Sequence, residues 1–301
     1  DIDVVISSSC DMLEGRSISN TYMVEPMGGF LKEESKIEED GAYGAFYAYA
    51  RLRTGKFRTA MVVAYSKPSE SSPQTYTGLI FDPLFQRPLG LEGITASALQ
   101  INRYMTRYPV TEAHAAKVVV KNRRNALNNS RISLKGECSV EDVMGSPVLA
   151  APIKEIDASF IADGCCVMIM AREDVARSLV DVPVWIEGVG LCNDAYYLGH
   201  RDLADLRSLR LAAKKAYEMA GVRNPAEEVD LFEVYEAFSF HELMLYDGLG
   251  LCDEGGGGRL VDEGATEPGG RIPVNVSGGA LCANPLMATG LVRMVEACLL
   301  Y

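Results

Sequence analysis

Three short stretches carry side chains suited to acid–base or nucleophilic chemistry. The first is Glu38-Glu39-Asp40, three carboxylates just before an apolar helical pattern. At a buried helix start they can work as an acid/base cluster. Capping and dipole pairing is the plainer reading. The second is Tyr235-Glu236-Ala237-Phe238, directly after the apolar string LFEV. Sites of α/β proteins lie at strand C-termini, and a tyrosine hydroxyl can donate to an enolate oxygen or act as an acid. The alternative is a half-buried strand-end tyrosine. The third runs from Gly278-Gly279 through Cys282 to Asn284-Pro285. Paired glycines let a backbone approach a ligand closely, or mark a bulge. Asn284 can donate to a carbonyl oxygen, and before proline it is equally a turn-former. Cys282 is the cysteine nearest these groups and the candidate nucleophile, with a small buried core residue as its other reading.

His200 and His241 have no Ser/Asp or Cys partner close in sequence and read as structural. The Gly255–Gly258 run lacks the Lys-Ser/Thr and helix start of a phosphate loop. It reads as a mobile loop placed to cover a ligand.

The surrounding elements must position these groups. Asp3–Ser9 reads as a buried strand. After a loop, a helix runs from Asp40 or Glu39 to Arg53 and stops at Thr54-Gly55. Thr59–Ser66 is a continuous apolar strand of the parallel-sheet type. From 68 to 151 the texture is helical: GITASALQINRYMTRY and TEAHAAKVVVKNRRNAL read as amphipathic helices and SVEDVMGSP as a short capped one. This stretch reads as an insertion that caps a sheet. Strand patterns return at 159–172, 182–192, 229–239 and 271–276, with helices at 207–220, from Phe240 and from Thr289. The alternation predicts an α/β protein of two similar strand–helix–strand halves. The expected division is 1–67 with 152–175, then the insertion 68–151, then 176–301.

The bulk numbers fit that class. The 301 residues carry 29 Lys and Arg against 41 Asp and Glu, a net charge of −12. No basic block supplies the footprint that nucleic-acid binding needs. No apolar run reaches membrane-spanning length. The eight cysteines form no C-x-x-C pair and mostly sit in apolar strings. They read as buried thiols of a reducing cytosol, and with three histidines no metal site is expected. The opening DIDVVISSS, without Met, and the final LVRMVEACLLY read as cuts through a fold.

Three segments in order resemble the thiolase superfamily and cover nearly the whole chain. EEDGAYGAFYAYARLRTGKFRTAMVVAYSKPSES resembles the block in which a cysteine opens a buried helix, with Glu38 at the cysteine position and Gly41 at the following glycine. DLFEVYEAFSFHEL resembles the Asn-Glu-Ala-Phe or His-Asp-x-Phe motif, with Tyr235 at the oxyanion-hole position, then Glu236, Ala237 and Phe238. NVSGGALCANPLMATGLVRMVEA resembles the Gly-Gly…Gly-His-Pro…Gly motif, with Gly278, Gly279, Pro285 and Gly290 matching and Asn284 at the histidine position. Asp157–Ala171 resembles the strand before the domain switch, with Cys165 and Cys166 as small core residues in place of two alanines. The first strand and the C-terminal hairpin of the family have no counterpart.

The resemblance implies a thiolase-like layered α/β/α fold. It implies acyl-CoA substrates, coenzyme A as a substrate with no cofactor, a homodimer core and a cytoplasmic enzyme. The pattern is similar to a divergent sterol-carrier-type branch that works with a small zinc-ribbon/OB-fold partner, and within it to benzoylsuccinyl-CoA thiolase of aromatic degradation. Three activities stay open. One is carbon–carbon cleavage or formation in a 3-oxoacyl-CoA, with Glu38, Asp40, Tyr235, Asn284 and Cys282 at the reacting carbonyls and Gly278, Gly279, Glu236 and Phe238 binding substrate. The second is a retro-aldol lyase without a thiol, acting on a 3-hydroxyacyl-CoA. The third is a non-catalytic scaffold subunit.

Overall fold

The computed structural model describes residues 1–132 and 134–301. The chain divides into two compact units. One comprises Asp1–Tyr76, Ile161–Trp185 and Asn284–Tyr301, and the other Thr77–Phe160 and Ile186–Ala283.

The first unit is built on a four-stranded sheet. Its strands are β1 (Val4–Ser8), β2 (Glu33–Ile37), β3 (Thr59–Ser66) and β4 (Gly164–Ala171), in spatial order β2-β1-β3-β4. β1 runs parallel to β2 and β3, with Ile6 beside Ser35 and Val62. β4 runs antiparallel to β3 and pairs Val167 with Val63. Helix α1 (Gly41–Arg53) lies on this sheet. Its contact face is made of small residues. A Cβ on Gly41 would come within 2.5 Å of the Ala64 methyl, and one on Gly44 would strike the Ser8 hydroxyl. Ala45, Ala48 and Leu52 then pack with Val4, Ile6, Ala60, Val62 and Leu291. Each large aliphatic side chain buried there contributes roughly 1.5–3 kcal/mol.

β2 is a strand where the sequence suggested a loop. Its five residues, EESKI, are mostly charged or polar because it is an edge strand, and Glu33 pairs there with Arg51 and Lys56. The expected core role of Cys165 is also corrected. β4 is the other edge strand, and Cys165, Val167 and Ile169 are exposed on it while Cys166, Met168 and Met170 turn to the core. Of the eight thiols, only Cys10 and Cys282 are fully buried.

The second unit is mainly helical. Its principal helices are α2 (Gly93–Arg107), α3 (Glu112–Ala126), α4 (Arg207–Ala220), α5 (Ser239–Gly248) and α6 (Gly257–Asp262). Thr111 caps α3, its hydroxyl accepting the His114 N–H. The helix is amphipathic as expected, with Ala113, Lys117 and Arg124 exposed, but its buried face is broad and partly polar. Ala115, Ala116, Val118, Val119, Lys121, Asn122, Asn125 and Ala126 are all buried. Lys121, Asn122 and Asn125 face inward, where they find partners. Lys121 donates to the Val274 carbonyl and Asn125 to the Asn275 carbonyl. Residues 77–160 therefore fold with 186–283 rather than as a separate cap. Residues 284–301 fold with the first unit, where Gly290 N–H donates to Asp40.

Three expected strands do not form ladders. Residues 182–192 are extended without a paired strand, and Gly188 and Gly190 lie directly against the backbone of α4 at Ala216 and Ala212. Residues 229–239 and 271–276 meet only through a single parallel bridge, Phe232 with Val274. Asn275 ends that ladder: its φ is 53°, and its side-chain oxygen, not a backbone carbonyl, accepts the Val234 N–H at 2.9 Å. The glycine run is packed rather than mobile. Gly255 meets the Tyr108 ring, Gly257 the Leu243 carbonyl and Gly258 the His114 imidazole, and the run leads into α6.

Candidate functional site

The sequence candidates fall into two groups, one in each unit. In the first unit, Glu38 stands at the C-terminal edge of the sheet, just past β2. One carboxylate oxygen accepts the Asp11 N–H at 2.6 Å and the other pairs with Lys36 at 2.6 Å. Lys36 also binds Asp11 and donates to the Ser19 hydroxyl at 2.8 Å. Glu38 is thus held in an ion network and is not a free base.

Asp40 caps α1. Its oxygens accept the Ala42 N–H at 2.8 Å and the Gly290 N–H at 2.9 Å. Burial pushes its pKa up to about 6, outweighing those two bonds, and the charge of Glu39 adds to the rise. A Cβ at Gly290 would collide with this carboxylate, which explains a glycine at that position. Asn284 is buried, and its side-chain oxygen accepts from Leu286 N–H at 3.1 Å and Thr289 Oγ1 at 2.7 Å. That oxygen is committed to shaping its own turn.

A pair that the sequence did not single out lies beside Glu38. Cys10, just past β1, is buried among Leu13, Leu286, Met287 and Tyr76. Burial pushes its thiol pKa up, and the Tyr76 hydroxyl hydrogen-bonds to it. The position after a buried parallel strand was the available signal for Cys10. Tyr76 carried none.

In the second unit, Tyr235 is 39% exposed, while the next residue, Glu236, has no exposed surface. Glu236 Oε1 accepts the Leu281 N–H at 3.0 Å and the Asn122 amide at 3.1 Å. Asn122 also donates to Glu242 at 2.8 Å, and Asn275 donates to Glu242 at 2.7 Å. Lys121 pairs with the other oxygen of Glu242 at 2.8 Å, and the Tyr246 hydroxyl donates to that same oxygen. Charges this deep persist only when paired and hydrogen-bonded.

The glycine pair is explained by the same network. Gly278 and Gly279 both have positive φ, 107° and 68°. A Cβ on Gly278 would lie 2.7 Å from that of Ala126, and one on Gly279 would strike the Glu236 carboxylate. Cys282 is fully buried, and its carbonyl accepts the Leu134 N–H. Phe238 is buried and bridges to Ala158. His241 packs edge-on to the Phe238 ring. Its Nε2 is buried without a hydrogen-bond partner among the described residues, and burial lowers its pKa to about 4. Tyr235 is therefore the exposed member of this group, while Glu236, Phe238, Gly278, Gly279 and Cys282 are buried. Sequence reasoning missed Lys121, Asn122, Glu242 and Asn275. The available signal was a Lys-Asn pair interrupting the apolar phase of VVVKNRRNA.

Among the described residues no group of three or more His, Cys, Asp or Glu could hold a metal ion, and no helix is long and apolar enough to cross a membrane.

Comparison with known proteins agrees with this architecture. Residues 190–300 match the family described as thiolase C-terminal domain-like. An acetyl-CoA acetyltransferase of Methanothermobacter thermautotrophicus is 35% identical over 201 residues, 66% of this chain and 52% of that protein. The benzoylsuccinyl-CoA thiolase subunit BbsB of Thauera aromatica is 32% identical over 202 residues, 66% of this chain and 52% of that protein. The chain spans about half the length of these two relatives. A solved structure, the Ltp2-ChsH2(DUF35) aldolase, has the same fold, with a TM-score of 0.84 at 21% identity, covering 99% of this chain and 78% of that one. By fold, by the matched C-terminal family and by these relatives, the chain belongs to the thiolase superfamily.

Proposed function

We propose that this protein breaks or forms a carbon–carbon bond next to a CoA thioester without a protein thiol, as a retro-aldol lyase on a 3-hydroxyacyl-CoA. One observation carries this reading. Tyr235 is exposed, whereas the candidate nucleophile, the thiol of Cys282, is sealed in the core. The family's cysteine position holds Glu38, tied to Lys36 and Asp11.

In the proposed step a base takes the proton of the 3-hydroxyl. The C2–C3 bond breaks, C3 becomes a carbonyl carbon, and the bonding pair passes to C2 as a thioester enolate. The enolate then takes a proton at C2. The Tyr235 hydroxyl donates to the developing oxyanion or supplies that proton. No free CoA is consumed.

A second reading is thiolysis of a 3-oxoacyl-CoA such as benzoylsuccinyl-CoA, and the names of the two relatives favour it. Either activity is proposed to need a homodimer core and a small zinc-ribbon/OB-fold subunit. BbsB is called a subunit, and the aldolase is named with a DUF35 component.

The test is chromatography of CoA esters after incubation with 3-hydroxyacyl-CoA or 3-oxoacyl-CoA, each with and without free CoA and the small subunit. Cleavage of the hydroxy substrate without CoA, reduced about 100-fold or more in Tyr235→Phe, supports the lyase. Cleavage of the oxo substrate only with CoA, lost in Cys282→Ala, replaces it with the thiolase. Acyl-CoA binding with no turnover in any mixture leaves a scaffold subunit.

A further inference from the structure

We infer that Glu233 and Glu236 are positioning residues for Tyr235, a two-carboxylate clamp that fixes its strand to the Gly278–Gly279 turn. The inference rests on the reading of Tyr235 as the reacting hydroxyl. The two acids flank that tyrosine at positions −2 and +1. Glu233 accepts the Ser277 N–H at 2.9 Å and the Ser277 hydroxyl at 2.6 Å. Glu236 accepts the Leu281 N–H at 3.0 Å. The two carboxylates therefore grip the turn on either side of Gly278-Gly279.

The clamp does what a sheet ladder would otherwise do. Among the described residues, Phe232 alone makes a regular bridge to 271–276, through its N–H to Pro273 and its carbonyl to Asn275. Past Val234 the connection passes to side chains. Beyond Tyr235 the backbone is held again, Ala237 O accepting the Ser159 N–H at 3.0 Å and Phe238 bridging Ala158, but towards the Gly278–Gly279 turn it is the two charged groups that set where Tyr235 stands. Glu236 is itself braced, because Asn122 links it to Glu242 and Lys121. Its carboxylate also fills the space where Gly279 would carry a Cβ. A misplacement of a reacting group by about 1 Å can cost on the order of 100-fold in rate.

The experiment compares Glu236→Ala and Glu236→Gln in the full protein with its small subunit. Three readouts are taken: amide exchange at Leu281, the ring-carbon NMR signal of labelled Tyr235 without ligand, and steady-state kinetics. Glu236→Ala is expected to speed Leu281 exchange about tenfold or more while α2 amides keep their protection. It should move or broaden the Tyr235 signal. It should also lower kcat about 100-fold with KM within about threefold. Glu236→Gln keeps an oxygen for Leu281 and should recover most of the rate and the native Tyr235 signal. The clamp is overturned if KM rises at constant kcat, which would make Glu236 a substrate contact. It is equally overturned if Ala and Gln behave alike, or if the Tyr235 signal stays put in Glu236→Ala.

Should Glu236→Ala fail to fold, Ser277→Ala carries the same three readouts on the Glu233 arm, with rescue by Ser277→Thr. The two NMR and exchange readouts need no turnover. A protein that fails the lyase assay yet shows the linked Leu281 and Tyr235 changes would sink the catalytic reading and leave the clamp intact.

Discussion

The two units fix their candidate groups by different means. In the first, β1, β2 and β3 form regular parallel ladders, and Glu38 and Asp40 sit just beyond the strand and helix ends those ladders define. In the second, Tyr235 stands on a stretch with isolated backbone bridges at Phe232 and Phe238 and no ladder between them, and buried carboxylates and amides take over the rest. A ladder draws on the backbone and is indifferent to most side-chain changes. A buried side-chain network depends on each member, since removing one leaves the others uncompensated in a low dielectric. The second unit should therefore be the more brittle to single polar substitutions.

The largest expected effect is at Lys121. It is 2% exposed and faces Glu242, which has no exposed surface. Lys121→Met should destabilise by about 3–5 kcal/mol in urea unfolding, because it leaves the buried Glu242 carboxyl without its ion-pair partner. The double variant Lys121→Met/Glu242→Leu should recover much of that loss. Equal losses in the single and double variants would mean that volume, not charge, governs the site.

The same contrast should appear in pH dependence, with opposite signs in the two units. Asp40 has a folded pKa of about 6 against a usual 3.8. The folded state thus holds its proton more tightly, and stability falls as pH rises from about 4 to about 6, by up to ~3 kcal/mol. His241 has a folded pKa of about 4 against 6.5. The unfolded state holds that proton more tightly, and stability falls as pH drops from about 6.5 to about 4, by a similar amount. The two largely cancel in the native protein. Asp40→Asn should expose the acid-sensitive slope of His241, and His241→Gln should expose the reverse slope. Parallel curves for both variants between pH 4 and pH 6.5 would refute the assignment.

How much of this was legible in the sequence follows the same divide. β1, α1 and β3 were readable to within a residue or two, since apolar runs and an Asp cap write backbone ladders directly into sequence. β2 was not, because an edge strand can carry Glu33 and Lys36. In the second unit the apolar strings 182–192 and 229–239 looked like strands. What stabilises them is close glycine contact with α4 and side-chain clamps, which have no period. α3 was found as a helix but assigned the wrong surroundings, since inward-facing Lys121 and Asn122 mimic a solvated face. The burial of Glu236 was not available from motif spacing, which suggested substrate contact.

A smaller effect tests the ladder side of the comparison. Gly44→Ala would place a methyl against the Ser8 hydroxyl and within 3.1 Å of Val62. α1 must then lift from the sheet, at a cost of about 1–3 kcal/mol in thermal unfolding. The β1–β3 amides should stay protected from exchange, because their ladder does not depend on that contact. Loss of that protection would show that helix and sheet stabilise one another more than the backbone bonds suggest.

The smallest effect is expected at Thr289, and it decides how Asn284 should be regarded. The Thr289 hydroxyl donates at 2.7 Å to the Asn284 side-chain oxygen, which also takes the Leu286 N–H. Thr289→Val keeps the shape and removes one of those two bonds, so about 1 kcal/mol of stability should go. If Asn284 serves only its turn, Thr289→Val and Asn284→Ala should differ in stability alone, with turnover unchanged in both. If Asn284 also meets the reacting thioester, Asn284→Ala should lose turnover out of proportion to its stability, while Thr289→Val, which leaves the amide in place, should not.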